Sequence, residues 1–190
     1  MFSHLKTVLF FIVLIIFNVS SVFALNNEES VKDFMLQMES LMNRKNMYEI
    51  KNFYNYYASE NATFIKHSQL IDPSSNMPST QELKMDRAQY IDYLKAIIST
   101  PTKYSYDSNI TQITMSGDIV NVSIDAKDTS LLNGFDVKTN KNYDIYVYTV
   151  ANCNYSLEYK NTKYFIKGMN CSEKITKANV YYNESEIQAN

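Results

Sequence analysis

The hydrophobic pattern of this chain changes its period once, near Thr100-Pro101, and this change constrains the fold more than any other feature. Before it, apolar residues recur at three- and four-residue spacing, which is typical of amphipathic helices. After it, apolar and polar residues alternate, as in strands that bury one face. The sequence therefore predicts an α+β domain in which helices precede a meander of long antiparallel strands.

The helical part contains three helices, and two of them begin with clear capping residues. Asn46 precedes the second helix with Glu49 three positions later, and Asp86 precedes the third with Gln89 in the same relation. Such side chains exchange hydrogen bonds with the free backbone groups at the start of a helix. In chain order we predict helix 28–43, helix 46–58, a short strand 63–71, an irregular loop 72–82 and helix 86–98.

Four strands are predicted in the alternating part, and the tightest turn joins the first two. Gly117 stands where a type II′ turn requires glycine, and this turn puts Ile113 opposite Val122. A slip in the apolar phase between Ile110 and Ile113 predicts a β-bulge in the first of these strands. The predicted strands are 104–115, 120–126, 143–158 and 164–175, with a loop over 127–142.

The two cysteines of the chain, Cys153 and Cys171, lie in the last two predicted strands. Folding this hairpin about residue 162 puts the two cysteines directly opposite each other, and it also pairs Tyr159 with Phe165. Opposite residues of an antiparallel pair lie close enough for a disulfide after small adjustments. We therefore predict a disulfide between the cysteines, and two free buried thiols are the alternative.

The first 24 residues have the pattern of a secretory signal peptide. Lys6 precedes the apolar run Val8–Phe17, and the segment ends on the cleavage-type sequence V-F-A at residues 22–24. The run is shorter than the roughly 20 residues of a helix that spans a bilayer, and an uncleaved N-terminal anchor is the alternative. We expect a secreted or periplasmic protein with no stable membrane anchor after cleavage.

Composition bears on the partners of the protein and on its compartment. The net charge is −2 without a basic cluster, so we expect no nucleic-acid partner. In a eukaryotic secretory protein the N-x-[ST] sequons would accept glycans, whereas in a bacterial exported protein, which we favour, they carry no meaning. These sequons begin at Asn61, Asn109, Asn121, Asn154, Asn170 and Asn183.

The order of elements resembles the NTF2-like superfamily, which includes SnoaL-like and ketosteroid-isomerase-like domains. The features that carry the resemblance are the helix pair, the third helix, the turn at Gly117 and the ending Lys163–Asn170. In this ending Tyr164 replaces a tryptophan that the superfamily often has. The resemblance implies a cone in which three N-terminal helices pack on a curved antiparallel sheet. Together with the signal-peptide pattern and the polar C-terminal sequence, it divides the chain into a signal peptide 1–24, a single NTF2-like domain 25–175 and a polar C-terminal tail 176–190.

His67 is the only histidine after the predicted signal peptide, and it is a weak catalytic candidate. Ketosteroid isomerase, scytalone dehydratase and polyketide cyclases, which share this fold, project acid–base residues into the cone, and a histidine there acts near neutral pH. No carboxylate lies nearby in the sequence to orient His67, so we favour a solvated or partly buried side chain. The enzyme alternative is an isomerase, dehydratase or cyclase that uses His67 with pocket tyrosines.

Tyrosines on two helices and one strand are candidates for one ligand cavity. Such a cavity would be apolar with a few hydroxyl groups, which suits a small apolar or aromatic ligand. The alternative is that most of these rings fill the core and direct their hydroxyl groups to solvent. The candidate ligand-binding residues are Tyr54, Tyr57, Tyr90, Tyr93, Tyr104 and Tyr106.

Other chemistries find no motif in the sequence. The scattered acidic residues, with one histidine and two paired cysteines, predict no metal site and no cofactor. Three glycines are too few for a phosphate-binding loop, and no G-x-S-x-G segment is present. Four aspartates could be considered as metal ligands, and we interpret them instead as cap, solvent-face and turn residues. They are Asp86, Asp92, Asp125 and Asp128.

The function that we predict is an exported module that binds a small apolar ligand in the cone or docks a protein through the sheet. An enzyme is the less favoured alternative. The superfamily often dimerises through the outer sheet face, so we expect a homodimer with Tyr146 and Tyr148 as anchors. The polar residues predicted on this face are Asn121, Ser123, Asp125, Asp144, Asn152 and Asn154.

Overall fold

The computed structural model describes residues 27–71, 78–138 and 140–181, with side chains described as far as residue 178. The predicted signal peptide, part of the predicted loop 72–82 and the last nine residues of the predicted tail lie outside the described residues. The elements in chain order are α1 (Glu28–Arg44), α2 (Met47–Tyr57), β1 (Ala58–Ile71), β2 (Ser79–Met85), α3 (Arg87–Ser99), β3 (Lys103–Ser116), β4 (Ile119–Asp136), β5 (Lys141–Lys160) and β6 (Lys163–Tyr181).

The described strands form one six-stranded sheet in the order β2-β1-β6-β5-β4-β3. The α+β class is confirmed, but the expectation of a purely antiparallel sheet is wrong. β1 runs parallel to β6, with Phe64 beside Met169, while the other neighbouring strands are antiparallel. The parallel pair arises because the chain leaves β1, builds the meander β3 to β6, and returns to the free edge of β1. Register shifts in three of the pairs mark bulges, which bend a sheet.

The sheet is longer than predicted in four stretches, of which the first is the start of β1, at Ala58 rather than at residue 63. β2 lies where a loop was predicted and pairs with β1, as Phe64 with Met85. β4 and β5 extend through most of the predicted loop 127–142, and β6 continues past residue 175 to Tyr181. β2 is an edge strand, and most described residues at the outer ends of β4 to β6 are partly exposed to solvent. Their polar sequences therefore lack the clean alternation of a half-buried strand.

The caps and the turn predicted from the sequence are confirmed, except that Glu49 does not complete a capping box on α2: its Oε1 accepts from the Asn46 side-chain Nδ2 at 2.9 Å. The Asn46 side chain accepts from two backbone N–H groups at the start of α2, and Asp86 with Gln89 forms a capping box on α3. Gly117 adopts φ +60°, as the predicted turn requires, and Ile113 lies opposite Val122. The predicted bulge in β3 falls between Ile110 and Gln112.

The predicted pairing of the cysteines is confirmed, although the turn is centred between Asn161 and Thr162 rather than on residue 162. Cys153 lies opposite Cys171 and the two form a disulfide. Asn161 and Thr162 both take positive φ in the two-residue turn. The expected pairing of Tyr159 with Phe165 is wrong, because a register shift after Ser156 moves Tyr159 opposite Tyr164.

The core lies between the inner face of the sheet and the apolar sides of the helices. Phe64 of β1 stacks on Tyr90 of α3, with ring centroids 4.1 Å apart. At the β3 edge of the sheet, the Asn43 side chain of α1 makes two hydrogen bonds to the backbone of Tyr106. Asn43 Nδ2 donates to the Tyr106 carbonyl oxygen at 2.7 Å, and Asn43 Oδ1 accepts from the Tyr106 N–H at 2.8 Å. A helix side chain thus occupies part of the edge of β3, which would otherwise be free to pair with another chain.

Candidate ligand-binding cavity

A cavity of about 50 Å³ lies inside the cone, between the helices and the sheet. Its floor is a cross-strand pair of alanines, Ala126 of β4 opposite Ala151 of β5. The neighbouring inward-facing pair on the same two strands is Ile124 with Cys153, and the disulfide of Cys153 also lines the cavity. Space remains here because two methyl groups stand where larger inward side chains would fill the cone.

A wider cavity of about 300 Å³ adjoins the first and forms the mouth of the cone. Its walls are largely apolar, with Ile97 and Pro101 on one side and Leu132, Val147 and Ile175 on the sheet. Six residues line both spaces and therefore form a ring between them. This ring consists of Lys66, Tyr93, Ile97, Tyr104, Asp128 and Glu173.

The structure brings most of the candidate tyrosines together in this space. All of them except Tyr57 line the inner cavity, and Tyr155 of β5, which was not among the candidates, lines it as well. Tyr57 instead packs against Phe34 and Phe53, with centroid distances of 5.5 and 4.9 Å. Tyr57 therefore belongs to the aromatic core rather than to the cavity wall.

Burial keeps the cavity tyrosines protonated. It raises the pKa of Tyr54, Tyr90 and Tyr155 above the ordinary value, and for Tyr54 and Tyr155 a hydrogen bond with the Tyr90 hydroxyl offsets only part of this rise. Burial, followed by the negative charge of nearby carboxyl groups, raises the pKa of Tyr104 and Tyr106 in the same way. At neutral pH the walls thus present aromatic faces and neutral hydroxyl groups.

A buried ion pair crosses the ring between the two cavities. Lys66 Nζ of β1 lies 2.6 Å from Glu173 Oε2 of β6, and their side chains are 12% and 4% exposed. Lys66 Nζ also donates to the Tyr93 hydroxyl at 2.8 Å, and Ser68 Oγ donates to Glu173 Oε1 at 2.5 Å. Burial lowers the pKa of Lys66, but Tyr93 and Glu173 outweigh it and the net shift is upward. Lys66 is therefore a firmly charged group.

Asp128 is the second carboxylate of the ring, and the interpretation of it as a turn residue is wrong. It lies in β4 opposite Thr149 of β5, which donates a hydrogen bond to it. Burial raises the pKa of Asp128 to about 6, although Thr149 and Lys66 favour the charged form. The signal in the sequence was the continued alternation Ala126, Asp128, Ser130, which keeps the inward phase of β4.

His67 lies outside the cone. Its neighbours Lys66 and Ser68 contact the cavity pair, so His67 projects from the opposite face of β1. Its side chain is 45% exposed, and Nδ1 lies 3.3 Å from Glu82 Oε2 on the edge strand β2. The enzyme alternative that used His67 inside the pocket therefore loses its acid–base residue.

The outer face of the sheet carries the predicted polar residues in cross-strand pairs. Ser123 Oγ donates to Asn154 Oδ1 at 2.6 Å, and Asn152 Nδ2 donates to Asp125 Oδ1 at 2.9 Å. Tyr146 and Tyr148 stack with centroids 6.3 Å apart, and Tyr148 is 45% exposed. Asp144 is buried rather than exposed. Homodimer formation through this face stays a prediction.

Two further features concern metals and membranes. Within residues 27–71, 78–138 and 140–181, no three His, Cys, Asp or Glu side chains are arranged to hold a metal ion. Among the helices of these same ranges, none has both the length and the apolar character that crossing a membrane requires.

Comparison with known proteins relates the chain to others by fold. No protein-family profile matches the sequence, and no curated protein matches it either. A conserved protein from Planctomyces limnophilus is similar in structure, with TM-score 0.50, 3% identity and coverage of 80% of this chain and 97% of that chain. A domain of unknown function with a cystatin-like fold from Nostoc punctiforme has TM-score 0.48, 13% identity and coverage of 85% and 80%.

An NTF2-like protein of unknown function from Pseudomonas putida has TM-score 0.46, 8% identity and coverage of 76% of this chain and 84% of that chain. An NTF2-like protein is thus among the proteins to which this chain is similar in structure. At these identities the likeness concerns the fold, and it assigns no activity to the chain.

Proposed function

We propose that this protein is an exported binding module that holds a small, largely apolar ligand in its cone. The observation that carries the proposal is the tyrosine-walled cavity of about 50 Å³ that adjoins a mouth of about 300 Å³. Ligand sites are concave and mostly apolar, with a few polar groups that orient the ligand. Lys66, Asp128 and Glu173 supply such groups at the junction of the two spaces.

Export is part of the proposal, and two observations support it. The first 24 residues have the pattern of a signal peptide. The disulfide between Cys153 and Cys171 is typical of an oxidising compartment outside the cytoplasm.

Native mass spectrometry of the full chain, expressed in an exporting host and purified without reductant, tests the proposal. We expect a mass above that of the polypeptide which falls to the protein mass on collisional activation. The released molecule then gives the chemical class of the ligand. A protein that stays free of small molecules after incubation with apolar and aromatic compounds would contradict the proposal.

A matched pair of variants ties the added mass to the cavity. Ala151→Leu inserts a larger side chain into the cavity floor, whereas Asn152→Leu places the same side chain on the outer face one residue later. We expect the added mass to disappear in Ala151→Leu and to persist in Asn152→Leu. Loss of the mass in both variants, with the disulfide intact, would show that the molecule binds elsewhere.

A second candidate function is acid–base catalysis in the same cavity. It is favoured by Asp128, since burial raises the pKa of this carboxyl to about 6, within the range in which proton transfer is efficient at neutral pH. Incubating the released ligand with fresh protein separates the two functions. An unchanged mass and retention time support the binding module, whereas a new product that fails to form with Asp128→Asn supports the enzyme.

A further inference from the structure

We propose that the ligand of this cavity is an organic amine in its protonated form, with the ammonium group at the ring and the apolar body in the mouth. This inference rests on the proposed binding function and adds the charge of the ligand. It follows from the balance of charges around the ring and from the aromatic walls.

The ring holds more negative than positive charge. Among the described residues that line the two spaces, the charged groups are Lys66, Asp128 and Glu173. Lys66 is matched by Glu173 at 2.6 Å, so this pair contributes no net charge. Asp128 therefore brings a negative charge for which the ring has no second cation. Asp128 is partly buried, so its charge is costly without a counter-charge, and a bound ammonium group would reduce that cost.

The walls next to Asp128 suit a cation as well. Tyr93 and Tyr104 belong to the same ring, and their electron-rich faces attract ammonium groups. The molecule already uses such contacts, since Lys66 Nζ lies 4.7 Å from the Tyr93 ring centroid and Lys45 Nζ lies 5.7 Å from that of Tyr104. The mouth beyond them is lined by Leu132, Val147 and other apolar side chains, which fit a hydrocarbon body.

An anionic ligand fits the ring less well. Lys66 is the cation that an anion would need, but its Nζ is already held by Glu173 and by the Tyr93 hydroxyl. Its side chain is 12% exposed, so little of it remains open to a ligand. An anion would also lie close to Asp128 and be repelled by it. The geometry therefore favours the opposite charge.

The inference predicts how binding depends on pH. Because burial raises the pKa of Asp128 to about 6, this carboxylate is charged at pH 8 and largely protonated at pH 5. Amine affinity should therefore fall as the pH is lowered through 6. The groups that face Asp128 from the packed elements are Lys66 of β1, Tyr93 of α3, Tyr104 and Tyr106 of β3, Thr149 of β5 and Glu173 of β6.

The test compares three probes of similar size by titration calorimetry on the full chain after ligand removal. They are phenethylamine, which is a cation, phenethyl alcohol, which is neutral, and hydrocinnamate, which is an anion. Hydrogen bonds to charged groups contribute enough to change affinity by about ten- to a hundredfold. We expect phenethylamine to bind at least about tenfold more tightly than the alcohol at pH 8, with most of this advantage lost at pH 5.

Asp128→Asn should remove the advantage of the amine, because it keeps the size of the side chain and removes its charge. The matched control is Asp125→Asn, which removes a carboxylate from the outer face of the same strand. We expect the control to bind phenethylamine as the unmodified protein does. Thermal unfolding of both variants verifies that they are folded. An equal loss in both variants would overturn the inference.

The remaining outcomes separate this inference from the proposed function. If the alcohol binds and the amine binds no more tightly, the cavity binds ligands but the charge selectivity is refuted. If hydrocinnamate binds most tightly, Lys66 rather than Asp128 is the anchor, and the inference is refuted. If none of the three probes binds and the native mass is that of the polypeptide, both the inference and the proposed function are refuted.

Discussion

Glu173→Gln is the substitution that most directly tests the description of the cavity as a buried polar site. The change preserves the shape of the side chain and removes its charge. Glu173 is 4% exposed and is held by Lys66 at 2.6 Å and by Ser68 at 2.5 Å. Removing one partner of a buried ion pair costs about 3–5 kcal/mol, because the other charge is left without compensation. The Tyr93 hydroxyl still accepts from Lys66 and the charge of Asp128 lies nearby, so we expect the lower end of this range, about 3 kcal/mol.

Equilibrium unfolding in urea, followed by tyrosine fluorescence, measures this loss. With a slope of about 2 kcal/mol per molar urea, a loss of about 3 kcal/mol lowers the midpoint by about 1.5 M. The matched control is Glu158→Gln, since Glu158 pairs with Lys167 at 3.3 Å on the surface, where both side chains are 34% exposed. Exposed pairs contribute less than about 1 kcal/mol.

A double-mutant cycle with Lys66→Met isolates the pairwise energy. The double variant carries neither charge of the pair, so its loss of stability should be smaller than the sum of the two single losses. The reasoning is refuted if Glu173→Gln loses no more stability than Glu158→Gln. It is also refuted if the two single losses add up to that of the double variant.

Three further predictions concern the framework and the pH dependence. Replacing Cys153 and Cys171 by alanine should lower stability by about 3 kcal/mol for a sequence separation of 18, and a reductant should then have no further effect on unfolding. Asp86→Ala removes the N-cap of α3 and should cost about 1 kcal/mol in urea unfolding. Asp128→Asn should raise stability at pH 8 by up to about 3 kcal/mol and leave it unchanged near pH 3. Because burial raises the pKa of Asp128 from 3.8 to about 6, the native state of the unmodified protein loses stability as the pH rises between these values. Equal unfolding midpoints for this variant and the unmodified protein at pH 8 would refute it.

The parts of the fold that the sequence predicted well are those decided by neighbours in the chain. The cap at Asp86, the turn at Gly117 and the opposition of Cys153 and Cys171 each depend on a few residues with a known conformational preference. β2 was missed because Ser79 and the polar residues after it lie at an edge, where one strand partner suffices and alternation is not required. The parallel pairing of β1 with β6 was missed because it depends on the whole chain.

The residues of the cavity were also predicted only in part from the sequence. Tyrosines at helical or alternating spacing pointed to the cavity wall, although Tyr57 faces the aromatic core instead. The charged ring was missed because Asp128 stands in a stretch whose polar residues predicted a loop. On β1 the choice between Lys66 and His67 depends on which phase of the strand faces inward. The buried Phe64 marks that phase, and it selects Lys66.

The parallel pairing of β1 with β6 also determines when the domain can be completed. Phe64 pairs with Met169, which lies 105 positions later in the chain. Until β6 is present, one long edge of β1 has no hydrogen-bonding partner and Lys66 has no Glu173. Contacts so distant in sequence slow folding, and unpaired strand edges promote aggregation. A chain that ends before Lys163 would therefore lack the strand that joins β1 to β5, so the described sheet can be completed only after β6 has been made.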